Sequence, residues 1–258
     1  MMYRMNKPAL AMEYYNRVLA GLEAIKNTQM DAILKVADEV ASRLEKGGIL
    51  YVFGSGHSHV LAEEVYARAG GLFQARAIMP PELIDFNMDK STLMERTDGL
   101  ADVIFATHNI RSCDALVVAS NSGRNTVPVQ FAQLAKSKGI YTVALTNMAH
   151  SKGVTSRDKS GKKLYEVCDI ALDTCGTYGD AIVPVPGRDY SIAPASTILG
   201  AMVVELLVCS IVESMISRGF EPPVMRSSNL DGTDDINRRA KEELKERFPG
   251  LRDAFSVF

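Results

Sequence analysis

The 258-residue chain carries no excess of either charge: 29 Lys and Arg stand against 31 Asp and Glu, a formal net charge of −2. That balance argues against a nucleic-acid binder, which concentrates basic residues on one face. Cysteine is scarce as well. The four thiols, Cys113, Cys168, Cys175 and Cys209, include no C-x-x-C pair. They read as reduced and mostly buried rather than as a disulfide framework or a zinc site. Residues 1–11 lack the charged-then-apolar pattern of a secretory leader. One long apolar stretch exists, Ile198 to Ile216, but Glu205 and Ser210 interrupt it and no basic anchor precedes it. It reads as a buried core helix rather than a membrane span. The expectation is a soluble, cytoplasmic protein without a nucleic-acid or membrane partner.

Three sequence motifs are missing too. Gly54-x-Gly56 has His59 where a dinucleotide fingerprint has its third glycine. No G-x-x-x-x-G-K-[ST] occurs, and Ser122 lies outside any G-x-S-x-G elbow. These absences count against a Rossmann oxidoreductase, a nucleoside triphosphatase and a serine hydrolase. No cofactor is expected.

What is present is enough apolar material, 47% of residues, to bury a full core as one domain. Residues 1–47 read as two helices; in the second, Ile33, Val36, Val40 and Leu44 recur at helical spacing. Residues 48–220 hold five short apolar runs, each a candidate buried strand: Ile49–Phe53, a weak one at Ala75–Met79, Ala115–Ala119, Tyr141–Leu145 and Asp169–Leu172. Amphipathic helices separate most of them. Alternation of this kind implies an α/β fold with parallel pairing through right-handed crossovers, and a flavodoxin-like strand order is preferred. Residues 84–111 form an insertion without clear period, and residues 148–163 read as a polar surface loop. Residues 221–258 are a tail ending in an amphipathic helix, with Ile236, Ala240 and Leu244 on one side.

The chemistry is expected where parallel strands end, since open α/β sheets bind ligands outside the carboxyl ends of their strands. The first such turn is Gly54-Ser55-Gly56-His57-Ser58-His59. Its glycines allow tight turning and close approach of a ligand to backbone N–H groups, and Ser55 and Ser58 add hydroxyl donors. The second is Ser120-Asn121-Ser122-Gly123-Arg124-Asn125-Thr126. It packs hydroxyls, amides, one glycine and one cation into seven residues. Ser, Asn and Thr also cap helices in ordinary connections, but two such turns at equivalent places in one sheet favour a ligand.

At these turns, YVFGSGHSHVLAEEV and VVASNSGRNTVPVQFA, the sequence resembles the SIS (sugar isomerase) family. Members have a strand leading into Gly-x-Gly-x-Ser and a later Ser-x-Ser-Gly-Arg/Lys turn. The segment SIAPASTILGAMVVELLV, taken as a helix from Ser191, resembles the Ser/Thr-rich helix start that closes the family's phosphosugar site. The likeness covers nearly the whole chain. It is nearest the phosphoheptose-isomerase-like subfamily, through GHSH, MERTDGLAD, SGKKLYEVCDI and PPVMRSSNLDGTDDINRR. The resemblance implies a three-layer αβα sandwich, a homodimer or homotetramer, and a phosphorylated sugar or amino sugar as ligand. It carries over Ser55, Ser58, Ser120, Ser122 and Thr197 as phosphate ligands, with Arg124 either beside them or paired to a carboxylate. Phosphoheptose isomerases also have a histidine in the late helix, and residues 191–219 contain none.

Family members isomerise aldose and ketose phosphates, cleave a sugar ether, or only sense sugar phosphates. Isomerisation is the leading expectation, and the sensor and the amino-sugar-phosphate lyase are alternatives. Isomerisation needs a base to move a proton between adjacent carbons and an acid at the oxygens. Glu63 or Glu64, in the helix after the first turn, is the candidate base. The alternative is an exposed carboxylate pair. His57 and His59 are candidates for an imidazole facing the sugar; otherwise they brace the helix start. The H-x-H pair has no convincing third ligand, so no metal is expected. Glu95 and His108 are secondary candidates, and His150 is read as solvated. Glu205, inside the apolar helix, needs a partner or a raised pKa.

Overall fold

The structure, a computed structural model, describes residues 9–84 and 87–251. The leader reading at residues 1–8 and two positions of the insertion, Asp85 and Phe86, lie outside the described residues.

Helices α1 (Ala9–Thr28) and α2 (Met30–Leu44) lead into strand β1 (Leu50–Gly54). The chain then alternates through α3 (His59–Val65), β2 (Ala75–Ile78), α4 (Met88–Met94), α5 (Leu100–Ala106) and β3 (Ala115–Ala119). It continues with α6 (Thr126–Ser137), β4 (Tyr141–Thr146), α7 (Met148–Lys152), α8 (Leu164–Val167) and β5 (Ile170–Asp173). A hairpin of β6 (Ala181–Pro184) and β7 (Ser191–Pro194) precedes α9 (Ser196–Ser217) and α10 (Thr233–Arg247).

Strands β1 to β5 form one parallel sheet in the order β2-β1-β3-β4-β5, the flavodoxin-like order. Alternation along each strand divides the core. Leu50, Val52, Val117, Val143 and Leu172 face a layer made by α1, α2, α3 and α9. Tyr51, Phe53, Leu116, Val118 and Ala144 face α5, α6 and α8, where Phe131 of α6 stacks on Phe53 at 4.5 Å between ring centroids. The result is a three-layer αβα sandwich, as the resemblance implies. In α2 the recurring Ile33, Val36, Val40 and Leu44 are all buried, so that helix lies along the sheet.

Helix α9 is long and apolar enough to cross a membrane by length and composition, yet it is the core helix of the first layer. Val203, Val204, Leu207, Ile211 and Met215 are buried there. Its outer side leaves Ile198, Met202 and Ile216 exposed.

Four local readings need correction. The periodless insertion contains α4 and α5, each only seven residues long, too short for a helical repeat to register. The polar stretch after β4 opens with α7, whose N-cap Asn147 accepts from the N–H of His150 at 3.0 Å. The β6–β7 hairpin was not foreseen, because its strands have four residues each and both end in proline. Finally, Ser191 begins a strand, and the late helix starts at Ser196.

Candidate functional site

Register brings the carboxyl ends of the central strands level: Gly54 pairs with Ala119, Ala119 with Leu145, and Leu145 with Leu172. The chain leaves the sheet at this edge through both polar turns. Gly54 is required there, since a Cβ on it would lie 2.2 Å from the carbonyl oxygen of Ser58. Gly123, at φ +57°, reverses the second turn.

Between these turns and the start of α9 lies a small cavity, partly open to solvent. Leu61 and Leu145 supply apolar wall; His57, Ser58, Ser120, Asn121, Thr174, Ser196 and Thr197 supply polar wall. Helix α9 aims its N-terminus here. Asp180 takes part of that end: Oδ1 accepts from the N–H groups of Ala195 (3.2 Å) and Ser196 (2.8 Å), and Oδ2 from the Ser196 hydroxyl (2.7 Å). The next amides, of Thr197 and Ile198, belong to the first turn and have no partner within the helix. Ser120 Oγ accepts from the N–H of Gly123 at 3.2 Å, which leaves its own proton to donate.

Of the expected site residues, the structure brings His57, Ser58, Ser120, Asn121 and Thr197 to the cavity wall. Gly54 and Gly56 shape the turn beneath. Ser55 is buried and turns its hydroxyl to Glu95 Oε2 at 3.2 Å. Ser122 is not on the wall. Arg124 reaches away, its Nε donating to the carbonyl of Thr155 at 2.9 Å. His59 braces the turn, with Nδ1 2.6 Å from the carbonyl oxygen of Gly56, so Nδ1 carries the proton. Its Nε2 lies 4.0 Å from Glu63, whose side chain is 55% exposed.

Glu64 pairs with Arg68 and hydrogen-bonds Glu205, so the two glutamates nominated on α3 stand off the cavity. Burial, then the adjacent Glu64, pushes the Glu205 carboxyl above its ordinary pKa. These three residues line a separate groove with Val208 and Val224. His108 closes α5 against the carbonyl of Ile104 at 2.8 Å. His150 is not simply solvated: its Nδ1 accepts from the N–H of Gly179 at 2.8 Å, and its ring lies 5.0 Å from that of Tyr178.

Glu95, at the end of α4, joins the two turns. Besides Ser55 it accepts from Asn125 Nδ2 at 2.6 Å, and Asn125 Oδ1 accepts from Arg157 at 2.8 Å. Burial raises its pKa; the hydrogen bonds from Asn125 and Ser55 and the charges of Arg96 and Arg157 pull it back. Thr174, Ser196 and Asp180 were missed by sequence reasoning. Thr174 follows an apolar run as the other turns do, and Ser196 opens the Ser-Thr helix start; both signals were available. Among the described residues no group of three His, Cys, Asp or Glu is placed to hold a metal.

Residues 13–147 match the family model described as SIS domain. A UPF0309 protein of Halalkalibacterium halodurans, BH3325, is 42% identical over 232 residues, covering 90% of this chain and 95% of that one. Among solved structures, a phosphoheptose isomerase from Francisella tularensis superposes with a TM-score of 0.55 at 20% identity, covering 81% of this chain and 100% of that one. The NanR protein of Vibrio vulnificus, complexed with ManNAc-6P, gives 0.51 at 16% identity, covering 93% and 70%. At those identities the two structures speak to the fold alone.

Proposed function

Because the chain belongs to the SIS-domain family, we propose that its cavity binds a phosphorylated sugar and that the protein interconverts aldose and ketose phosphates. One observation carries the reading: hydroxyls from both strand-end turns and the N-terminus of a 22-residue helix meet in one cavity at the carboxyl edge of the sheet. A phosphate there accepts from Ser58, Ser120 and Thr197 and from the first amides of α9, where the helix dipole favours an anion. The ManNAc-6P in the NanR structure supports a sugar phosphate as the ligand class.

His57 is the one titratable side chain among the residues of the wall, so it is the group assigned to move the proton. A second class, the non-catalytic sensor, is favoured by the position of Glu63, Glu64 and Glu205 off that wall. Helix α9 leaves Ile198 and Met202 exposed, and α1 leaves Tyr15 and Leu19 exposed, which supports a homo-oligomer with this side covered by a second copy. Sedimentation at several concentrations tests that part.

The ligand reading is tested by a thermal-shift panel of hexose, heptose and N-acetylhexosamine phosphates beside their unphosphorylated sugars. A ligand at a hundredfold excess over its Kd stabilises by about 2.7 kcal/mol. Shifts limited to phosphorylated members uphold the cleft, and a panel without any shift overturns it. Incubating the binding member in deuterated water then separates the two classes. Deuterium entering at the carbon beside the carbonyl marks an isomerase, and its absence a sensor.

A further inference from the structure

Two buried polar atoms of residues that line the cavity have no hydrogen-bond partner within the protein. Thr174 is 3% exposed, and its Oγ1 is buried without a hydrogen-bond partner. Asn121 Oδ1 is also buried and unpartnered. Both residues line the same cavity. Two neighbouring backbone groups are taken within the protein: the N–H of Thr174 donates to the carbonyl of Thr146, and the carbonyl of Asn121 accepts from the N–H of Asn147 and the hydroxyl of Thr146. A buried polar atom left unpaired is costly, so a site with two of them favours whatever pairs both.

The donor and acceptor inventory narrows that partner. A carboxamide oxygen only accepts, and so do the oxygens of a phosphate dianion, so a phosphate can pair with the Asn121 amide nitrogen but leaves Oδ1 unpaired. The Thr174 hydroxyl both donates and accepts. An acetamido group has an N–H for Asn121 and a carbonyl for the Thr174 proton, but in a planar trans amide the two point in opposite directions and do not serve one shared point. A sugar hydroxyl does both at once, donating to Asn121 Oδ1 and accepting from Thr174.

We infer that Asn121 Oδ1 and Thr174 Oγ1 form a subsite for a free hydroxyl of the bound sugar phosphate. This pair, rather than the phosphate-binding hydroxyls, selects among phosphorylated compounds. The inference rests on the proposed reading of the cavity as a sugar-phosphate site and adds the class of sugar: one with an unsubstituted hydroxyl at this contact rather than an acetamido group.

The test is calorimetric titration of wild type and Thr174→Val, which keeps the shape and removes the hydroxyl. The probes are inorganic phosphate, the panel member that binds wild type most tightly, and that sugar's acetamido counterpart. Sugar-phosphate affinity is expected to fall about 10- to 100-fold, with phosphate affinity unchanged and the Tm of the ligand-free variant equal to or above wild type. Asn121→Leu is expected to reproduce the loss. Equal sugar-phosphate affinity in wild type and Thr174→Val overturns the subsite, as does an equal loss of inorganic phosphate. A lower Tm of the ligand-free variant means that Thr174 is paired within the protein and also overturns it. A wild-type preference for the acetamido compound assigns the contact to an amide and does the same. Failure of wild type to bind any sugar phosphate overturns the underlying reading, and this inference with it.

Discussion

Asp180 grips Ser196 with both carboxylate oxygens, one on its N–H at 2.8 Å and one on its hydroxyl at 2.7 Å. The grip crosses the β6–β7 hairpin, which therefore sets where α9 begins. It also puts a negative charge at the rim of the cavity proposed to take an anion. Replacing that charge while keeping an acceptor separates the two effects. Asp180→Asn is expected to bind inorganic phosphate more tightly, about 3- to 10-fold at low ionic strength, with the gain shrinking as salt screens the rim. Asp180→Ala removes the cap as well and is expected to lose about 1 kcal/mol of unfolding free energy. Titration calorimetry at two salt concentrations, beside urea unfolding, reads both. Unchanged phosphate affinity in Asp180→Asn would place the anion away from the α9 terminus.

Glu95 makes a prediction about pH. Its pKa in the folded chain is raised from 4.5, first by burial. Between 4.5 and that raised value the folded protein therefore binds more protons than the unfolded chain. Stability from this group is full below the unfolded pKa and falls as pH rises through the window. Glu95→Gln keeps the shape and cannot ionise, so its Tm relative to wild type should climb across the same window and then level off. A constant difference at every pH would show that Glu95 ionises as freely in the fold as in the open chain.

His57 carries the catalytic part of the proposal. If it moves the proton, His57→Gln should slow deuterium entry into the bound sugar phosphate by about 10²- to 10⁴-fold. Binding of inorganic phosphate, held by hydroxyls and α9 amides, should change little. Nuclear magnetic resonance of the sugar and calorimetry of the phosphate give the two readings. Exchange at the wild-type rate in His57→Gln would remove this residue from the chemistry.

The sheet was legible because each central strand is a continuous apolar run, as expected of a parallel sheet buried on both faces, and β1 and β3 are closed by glycine- and serine-bearing turns. The same logic put His57, Ser58, Ser120 and Asn121 at the strand ends, where they line the cavity. It gives no direction for Glu63 and Glu64, because closeness in sequence to a turn says nothing of which side of a helix a residue takes. Leu61, Ala62 and Val65 fix the inner side of α3, leaving Glu63 to solvent and Glu64 to Arg68 and α9. The contacts that join distant segments had no local signal. Glu95 lies 40 residues from the serine it holds, and Asp180 lies 16 residues from Ser196, across a hairpin whose strands are too short to announce themselves. Thr174 follows an apolar run too, but the polar stretch there is short, so its signal is weaker than that of the two serine-bearing turns.

His150 links acidity to the same helix terminus. Its Nδ1 accepts from the N–H of Gly179, so the proton of the neutral ring sits on Nε2. Burial lowers its pKa from 6.5; Asp180 pulls it up and Arg124 pushes it further down. In the window between the lowered value and 6.5 the unfolded chain binds more protons than the folded one. Stability from this contact is present above that window and is lost as pH falls through it. The added proton would go to Nδ1, directly against the N–H of Gly179, one residue before the Asp180 cap. Acid should therefore loosen the connection into the hairpin, and wild-type Tm should fall on going from neutral pH to below the lowered pKa. His150→Gln, whose amide oxygen can accept from Gly179 at any pH, should lack that part of the fall. Amide exchange at Ser196, followed across the same range, distinguishes a local loosening from a general one. Protection lost there only in wild type locates the effect at the α9 cap. Equal losses in both proteins would mean that His150 does not carry it.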